Sequence, residues 1–144
     1  MRDVLITVER VALLRRVRLF SGTPERALAG LAQVVEEVEV SAGETVMREG
    51  AVEDWLYVVV DGELEVVRDD RRATIRAGGV VGELAVLDPM PRSATVRAVT
   101  DALLFRLDKA SFDEAVELRP EIARGVIIEL VARLRETHDR PASP

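Results

Sequence analysis

The chain changes its hydrophobic period twice, from helical to strand-like near residue 35 and back to helical near residue 111. In the first segment Val4, Val8, Val11 and Leu14 share one helical face, with Leu5, Leu13 and Val17 widening it. Arg10, Arg15 and Arg16 lie off that face, which predicts an amphipathic helix. Phe20, Ser21 and Gly22 break the pattern. Thr23 followed by Pro24 predicts an N-cap and a first helical position, opening a short second helix that buries Leu28 and Leu31. These N-terminal helices occupy 1–33.

A strand-rich region follows over 35–107. Glu37, Val38, Glu39 and Val40 alternate before a turn at Ser41 to Glu44. The runs Trp55 to Val60 and Glu63 to Arg68 flank Asp61-Gly62, a strong short-range hairpin signal, and the expectation is a two-stranded hairpin there. Further strands are expected at Thr45 to Arg48, Ala73 to Ala77, Ser93 to Thr100 and Ala102 to Leu107. This many short strands at such spacing predicts a small antiparallel barrel or jelly roll.

The helical period returns at Ser111, where Ser111 and Glu114 form an S-x-x-E capping-box pattern, and Pro120 opens a last helix. On that helix Ile122, Val126, Leu130 and Leu134 make one row, Ala123, Ile127 and Val131 a second, and Arg124, Arg133 and Glu136 lie outside. So wide a stripe must cover the strands, a partner, or both. The tail, 137–144, reads as frayed.

Composition narrows the function. The 144 residues fit one compact unit, with a single domain over 1–136, and they include no cysteine and one histidine, His138. Disulfide frameworks, thiolate metal sites and thiol catalysis are thereby excluded, and histidine-rich metal centres have no donors. No metal site, resident cofactor or catalytic residue is expected, and the protein is not expected to be an enzyme. A net charge of −6 argues against a nucleic-acid ligand. The longest apolar run is too short to span a membrane, so a cytoplasmic protein is expected. The charge is nonetheless uneven. Residues 36–70 are acid-rich against Arg48 and Arg68, whereas residues 71–106 carry Arg71, Arg72, Arg76, Arg92, Arg97 and Arg106 against Glu83, Asp88 and Asp101. An anion would choose the second stretch.

Within that stretch, residues 78–95 break the strand rhythm. Glu83 to Leu87 can form one helical turn after Gly82, whose lack of a side chain leaves the backbone approachable by an anion. Arg92 follows Pro91 and brings a guanidinium fork matched to two phosphate oxygens. Glu83 would repel an anion unless it accepts hydrogen bonds from ligand hydroxyls, as acids do with a ribose. Glycine, acid, short helix and arginine together describe a sugar-phosphate pocket. Taken singly, Glu83 can also be a helix-dipole carboxylate and Arg92 a surface partner of Asp88.

The run GELAVLDPMPRSATV, Gly82 to Val96, closely resembles the phosphate-binding cassette of cyclic nucleotide-binding domains, the cassette proper spanning 82–95. Upstream, Ala42-Gly43-Glu44, Glu49-Gly50 and Tyr57 to Gly62 resemble the family's early strands and turns, and Leu107-Asp108 with Phe112 resembles its exit into helices. The resemblance implies an eight-stranded antiparallel jelly-roll barrel, mainly β with flanking N-terminal helices and C-terminal hinge and lid helices over 112–136. It implies that Arg92 holds the cyclic phosphate, Glu83 the ribose 2′-hydroxyl, and Gly82, Leu84 and Ala85 backbone contacts, with Ser93 and Ala94 completing the set. Ser93 stands where similar bacterial cyclic AMP receptors carry serine or threonine, so cyclic AMP is expected over cyclic GMP. Val81 replaces the frequent aromatic before the glycine, and the last helix has no aromatic to stack on a base. Leu130, Arg133, Leu134 or Arg135 are then the candidate lid contacts. The winged helix-turn-helix of similar transcription factors has no counterpart before Pro144, so DNA reading by that route is not expected. A homodimer or a regulated protein partner at the last helix is compatible with its stripe, and a non-binding scaffold is the alternative to a sensor.

Overall fold

A computed structural model describes residues 7–139. Val4, Leu5 and residues 140–144 of the tail, for which expectations were stated, lie outside the described residues. The elements run α1 (Thr7–Leu14), a 3-10 turn (Arg18–Phe20), α2 (Glu25–Ala32), β1 (Glu36–Val40), β2 (Thr45–Met47), β3 (Trp55–Asp61), β4 (Leu64–Arg68) and β5 (Arg71–Ile75). They continue through β6 (Val80–Val81), a second 3-10 turn (Glu83–Val86), β7 (Thr95–Ala98), β8 (Ala102–Asp108), α3 (Lys109–Leu118) and α4 (Glu121–Asp139). Among the described residues no helix is long and apolar enough to cross a membrane.

The eight strands form two antiparallel four-stranded sheets, ordered β1-β8-β3-β6 and β2-β7-β4-β5, the interleaved order of a jelly roll. Two apolar clusters explain it. Tyr57, Val59, Leu64, Val81, Val96 and Leu104 fill the space between the sheets. Leu56, Val58, Phe105 and Leu107, on the opposite face of β3 and β8, pack under the helices with Leu14, Phe20, Leu28 and Ile122. β3 and β8 are therefore buried on both faces, which is why their sequences read as unbroken apolar runs rather than alternations.

That double burial overturns the expected hairpin at Asp61-Gly62. β3 pairs with β8 and β6, whereas β4 pairs with β5 and β7, so the dipeptide is a corner where the chain leaves one sheet for the other. Gly62 has φ +97°, and a Cβ there would lie 2.6 Å from the carbonyl of Asp101. The tight two-residue hairpin sits instead at Asp69-Asp70, with Arg68 opposite Arg71 and Asp69 itself at φ 54°. The strand expected at Ala73 to Ala77 accordingly begins earlier, at Arg71, and that expected at Ser93 to Thr100 is confined to Thr95–Ala98. β6 was not anticipated.

The helix starts are also corrected. Pro24, not Thr23, is the capping position of α2; the Thr23 hydroxyl is buried without a hydrogen-bond partner. Asp108 caps α3 by accepting the Ser111 N–H at 2.7 Å, so Ser111 lies inside the first turn and the Ser111–Glu114 capping box does not form. Val8, assigned to the buried face of α1, is exposed, while Val11, Leu14 and Val17 are buried. Thr137 and His138 continue α4 rather than a frayed tail, with the Thr137 hydroxyl donating to the Arg133 carbonyl.

Candidate functional site

A cavity of about 550 Å3 opens between β6, the second 3-10 turn and the loop leading into β7. That is within the roughly 300–1,000 Å3 of small-molecule pockets. Its apolar wall comes from Met47, Val66, Ile75 and Val96, and its polar rim from the cassette. Gly82, Glu83, Leu84, Ala85, Arg92, Ser93 and Ala94 all line it, so one place gathers every cassette residue singled out in the sequence.

Gly82 sets the geometry. It precedes the 3-10 turn in the left-handed region at φ +71°, and the Ala85 N–H donates to its carbonyl at 3.1 Å. A Cβ at this position would collide with Nη1 of Arg92, so the bare backbone is what lets the guanidinium lie against the turn. Leu84 is half exposed, Ala85 is buried, Ser93 is exposed and Ala94 is buried.

Arg92 is fixed at both ends. Its N–H donates to the Ala51 carbonyl and its carbonyl accepts from Gly50, each at 2.8 Å, tying the cassette to the β2–β3 loop. Its side chain is only 4% exposed. Nε donates to Oε1 of Glu53 at 3.0 Å, and Nη2 donates to the carbonyl of Trp55. Among the described residues no hydrogen bond engages Nη1, the nitrogen that faces Gly82. Glu53 escaped the sequence reading because it is 39 positions away and nothing local marks it.

Glu83 carries partners too. Its Oε1 accepts from Nη2 of Arg133 on α4 at 2.7 Å, and its Oε2 accepts from the backbone N–H of Leu19 at 3.3 Å. Arg133 in turn donates through Nε to Glu129, which also accepts from Nε of Arg18 at 2.8 Å and from the Ser21 hydroxyl at 3.1 Å. Nη2 of Arg18 bridges both carboxylate oxygens of Glu136. Burial pushes the Glu129 carboxyl up, but donation from Ser21, Arg133 and Arg18 outweighs it and holds the group below its ordinary value. The carboxylates of Glu136 and then Glu129 raise Arg18 above its ordinary value.

The candidate lid residues stand apart from the cavity. Leu130 packs on the helix-side core, Leu134 is exposed, Arg133 is on Glu83, and Arg135 lines a second hollow with Ile127, Ile128 and Val131. Among the described residues no group of three or more acidic or histidine side chains could hold a metal ion.

The family model of the cyclic nucleotide-binding domain matches residues 37–118, from β1 through the end of α3. The chain is 29% identical over 136 residues to the CRP-like cAMP-activated global transcriptional regulator of Mycobacterium tuberculosis, covering 90% of this chain and 61% of that protein. It is 32% identical over 114 residues to a cyclic nucleotide-gated potassium channel of Rhizobium etli, covering 79% of this chain and 32% of the channel. It thus spans less than two thirds of the length of either relative. Among solved structures, the N-terminal domain of a transcriptional regulator from Streptomyces coelicolor superposes with a TM-score of 0.81 at 32% identity, over 88% of this chain and 93% of that one. The match begins in β1 and runs through the cassette into α3, the same span that builds the cavity, and on it the chain belongs to the cyclic nucleotide-binding domain family.

Proposed function

We propose that the chain is a regulatory sensor that binds cyclic AMP in preference to cyclic GMP and signals through its C-terminal helices. The observation that carries this reading is Arg92: a buried guanidinium on a residue that lines the cavity, with Nε on Glu53, Nη2 on the Trp55 carbonyl, and Nη1 lying against Gly82 with no hydrogen bond among the described residues. A buried cation so oriented is a ready partner for a phosphate oxygen. Glu83 supplies the acceptor for a ribose hydroxyl, Gly82, Leu84, Ala85, Ser93 and Ala94 surround the phosphate, and Met47, Val66 and Ile75 offer apolar surface to the purine. Ser93 and the cyclic AMP activation named for the mycobacterial relative favour cyclic AMP. The protein works by binding rather than catalysis, in the cytoplasm, without contact to nucleic acid or membrane of its own.

α4 is the output, either to a second copy or to a regulated partner, because Ile127, Ile128, Val131 and Leu134 are exposed on it. The same exposed face favours a second reading, a scaffold that binds partners through α4 and no nucleotide. Calorimetric titration separates the two. Wild type takes up cyclic AMP, and Arg92→Ala weakens it about tenfold to 150-fold, the equivalent of roughly 1.5–3 kcal/mol for a charge-assisted hydrogen bond. Cyclic AMP at a hundred times its dissociation constant adds about 2.7 kcal/mol of stability. Equal affinity in the variant removes the site assignment, and no thermal shift with either nucleotide leaves the scaffold.

A further inference from the structure

We infer that the outward face of α4 docks an acidic amphipathic helix of a regulated partner, in preference to a second copy of this chain. The inference rests on α4 being the output element, and it chooses between the two outputs that its exposed face allows. At about 3.6 residues per turn, Arg124, Ile127, Ile128, Val131, Leu134 and Arg135 fall on one side of the helix, opposite Ile122, Val126 and Glu129, which are buried against the body. All six are exposed, the four apolar ones by 40–69%, so no other element covers them. The hollow on this side is lined, among the described residues, by α4 alone. Arg124, Ile127, Val131, Leu134 and His138 follow one another by three and four positions, the spacing of a helix-pairing seam.

The charge of the face says what pairs with it. Among the described residues the side chains of Arg124 and Arg135 make no hydrogen bond or ion pair. The carboxylates of the same helix are committed elsewhere or stand off: Glu129 is buried on Arg18, Ser21 and Arg133, Glu136 gives both oxygens to Arg18, and Glu121, one turn before Arg124, makes no ion pair with it. The face therefore offers apolar surface flanked by uncompensated positive charge. A second copy supplies no free carboxylate at these positions. Paired in parallel about a two-fold axis, Arg124 and Arg135 each meet themselves; paired antiparallel about Val131, Arg124 meets His138 and Arg135 meets Ile127. Both arrangements leave the cations unmatched, which disfavours self-pairing. A helix whose apolar stripe is edged by glutamate or aspartate matches the stripe and both arginines at once.

The test is fluorescence anisotropy with two labelled synthetic peptides, each carrying leucine at the two core positions of every heptad, one with glutamate and the other with lysine at the flanking positions. They are titrated with the wild-type chain, the double variant Arg124→Gln with Arg135→Gln, and Val131→Asp, all first shown to be folded by thermal unfolding. Wild type takes up the glutamate peptide and not the lysine peptide, and added salt weakens the complex. The double variant binds the glutamate peptide about twofold to 25-fold more weakly, the loss of two exposed ion pairs, and Val131→Asp abolishes binding. In sedimentation the wild-type chain alone stays monomeric. Equal uptake of both peptides, uptake of neither, whether or not phosphatidylglycerol vesicles bind instead, or a dimer that Val131→Asp dissociates overturns the proposal. Calorimetry of wild type with cyclic AMP separates this outcome from the sensor: lost peptide binding with intact nucleotide binding removes the acidic partner alone, and peptide uptake without nucleotide binding removes the sensor and leaves the scaffold.

Discussion

At the scale of the residue, the site depends on one missing side chain. Gly82 combines a left-handed backbone with an approach by Arg92 that leaves no room for a methyl group, since a Cβ would meet Nη1 and come within 3.1 Å of Cζ. Gly82→Ala therefore carries backbone strain of about 1–3 kcal/mol and pushes the guanidinium off Glu53 and the Trp55 carbonyl. The expected outcome is a loss of cyclic AMP affinity on the order of tenfold or more, each tenfold being about 1.4 kcal/mol, with a lowered unfolding midpoint; calorimetry and thermal unfolding of the same sample check both. Unchanged affinity would mean that Arg92 does not depend on this glycine for its position. The spacing of Gly82, Glu83 and Arg92 made the cassette legible in the sequence, because those residues act from one short loop. Their partners were not legible. Glu53 and the Leu19 N–H reach the site from 39 and 64 positions away, and a backbone N–H has no sequence signature.

Among the elements, periodicity located the helices and most strands but misassigned how two of them pair. Asp61-Gly62 carries hairpin chemistry, yet β3 is buried on both faces and its two edges are taken by β8 and β6, so turn propensity yields to tertiary pairing. Asp69-Asp70, without glycine, makes the real hairpin at a positive φ that aspartate tolerates. α4 was legible as an amphipathic helix, but not the reason for its glycine. Gly125 sits where a Cβ would lie 2.7 Å from the Thr23 hydroxyl oxygen and 2.8 Å from the Gly22 carbonyl. Helix propensity alone predicts that Gly125→Ala stabilises by up to about 1 kcal/mol. The contact with the Gly22-Thr23 backbone predicts the opposite sign, a net destabilisation of roughly 1–3 kcal/mol from overpacking, because that turn is itself packed under the helix. Urea unfolding of Gly125→Ala decides between them, and a raised midpoint would show that α4 can shift without cost.

Across the whole molecule, a charged network links parts of the chain that the helix-side core also joins. The first 3-10 turn, the cassette and α4 meet through Arg18, Glu83, Glu129, Arg133 and Glu136, and Glu129 is the buried centre, facing Arg18 and Ser21 from the N-terminal side and Arg133 from its own helix. Its carboxyl is held below the ordinary 4.5, so the folded state binds its proton less readily than the unfolded chain. The sign follows from linkage: the stabilisation is complete above about pH 4.5 and is lost as the pH falls through the lowered folded value, where protonation removes the charge that Arg18 and Arg133 require. Glu129→Gln keeps the shape and discards the charge. At pH 7 the variant is expected to be less stable than wild type by about 1–3 kcal/mol, the scale of hydrogen bonds to a charged group. Measured by denaturant unfolding from pH 7 to 3, the gap between the two chains should close below the ordinary carboxylate value; a gap that stays constant would show that Glu129 contributes through packing and geometry, with its charge playing no part in holding α4 to the body.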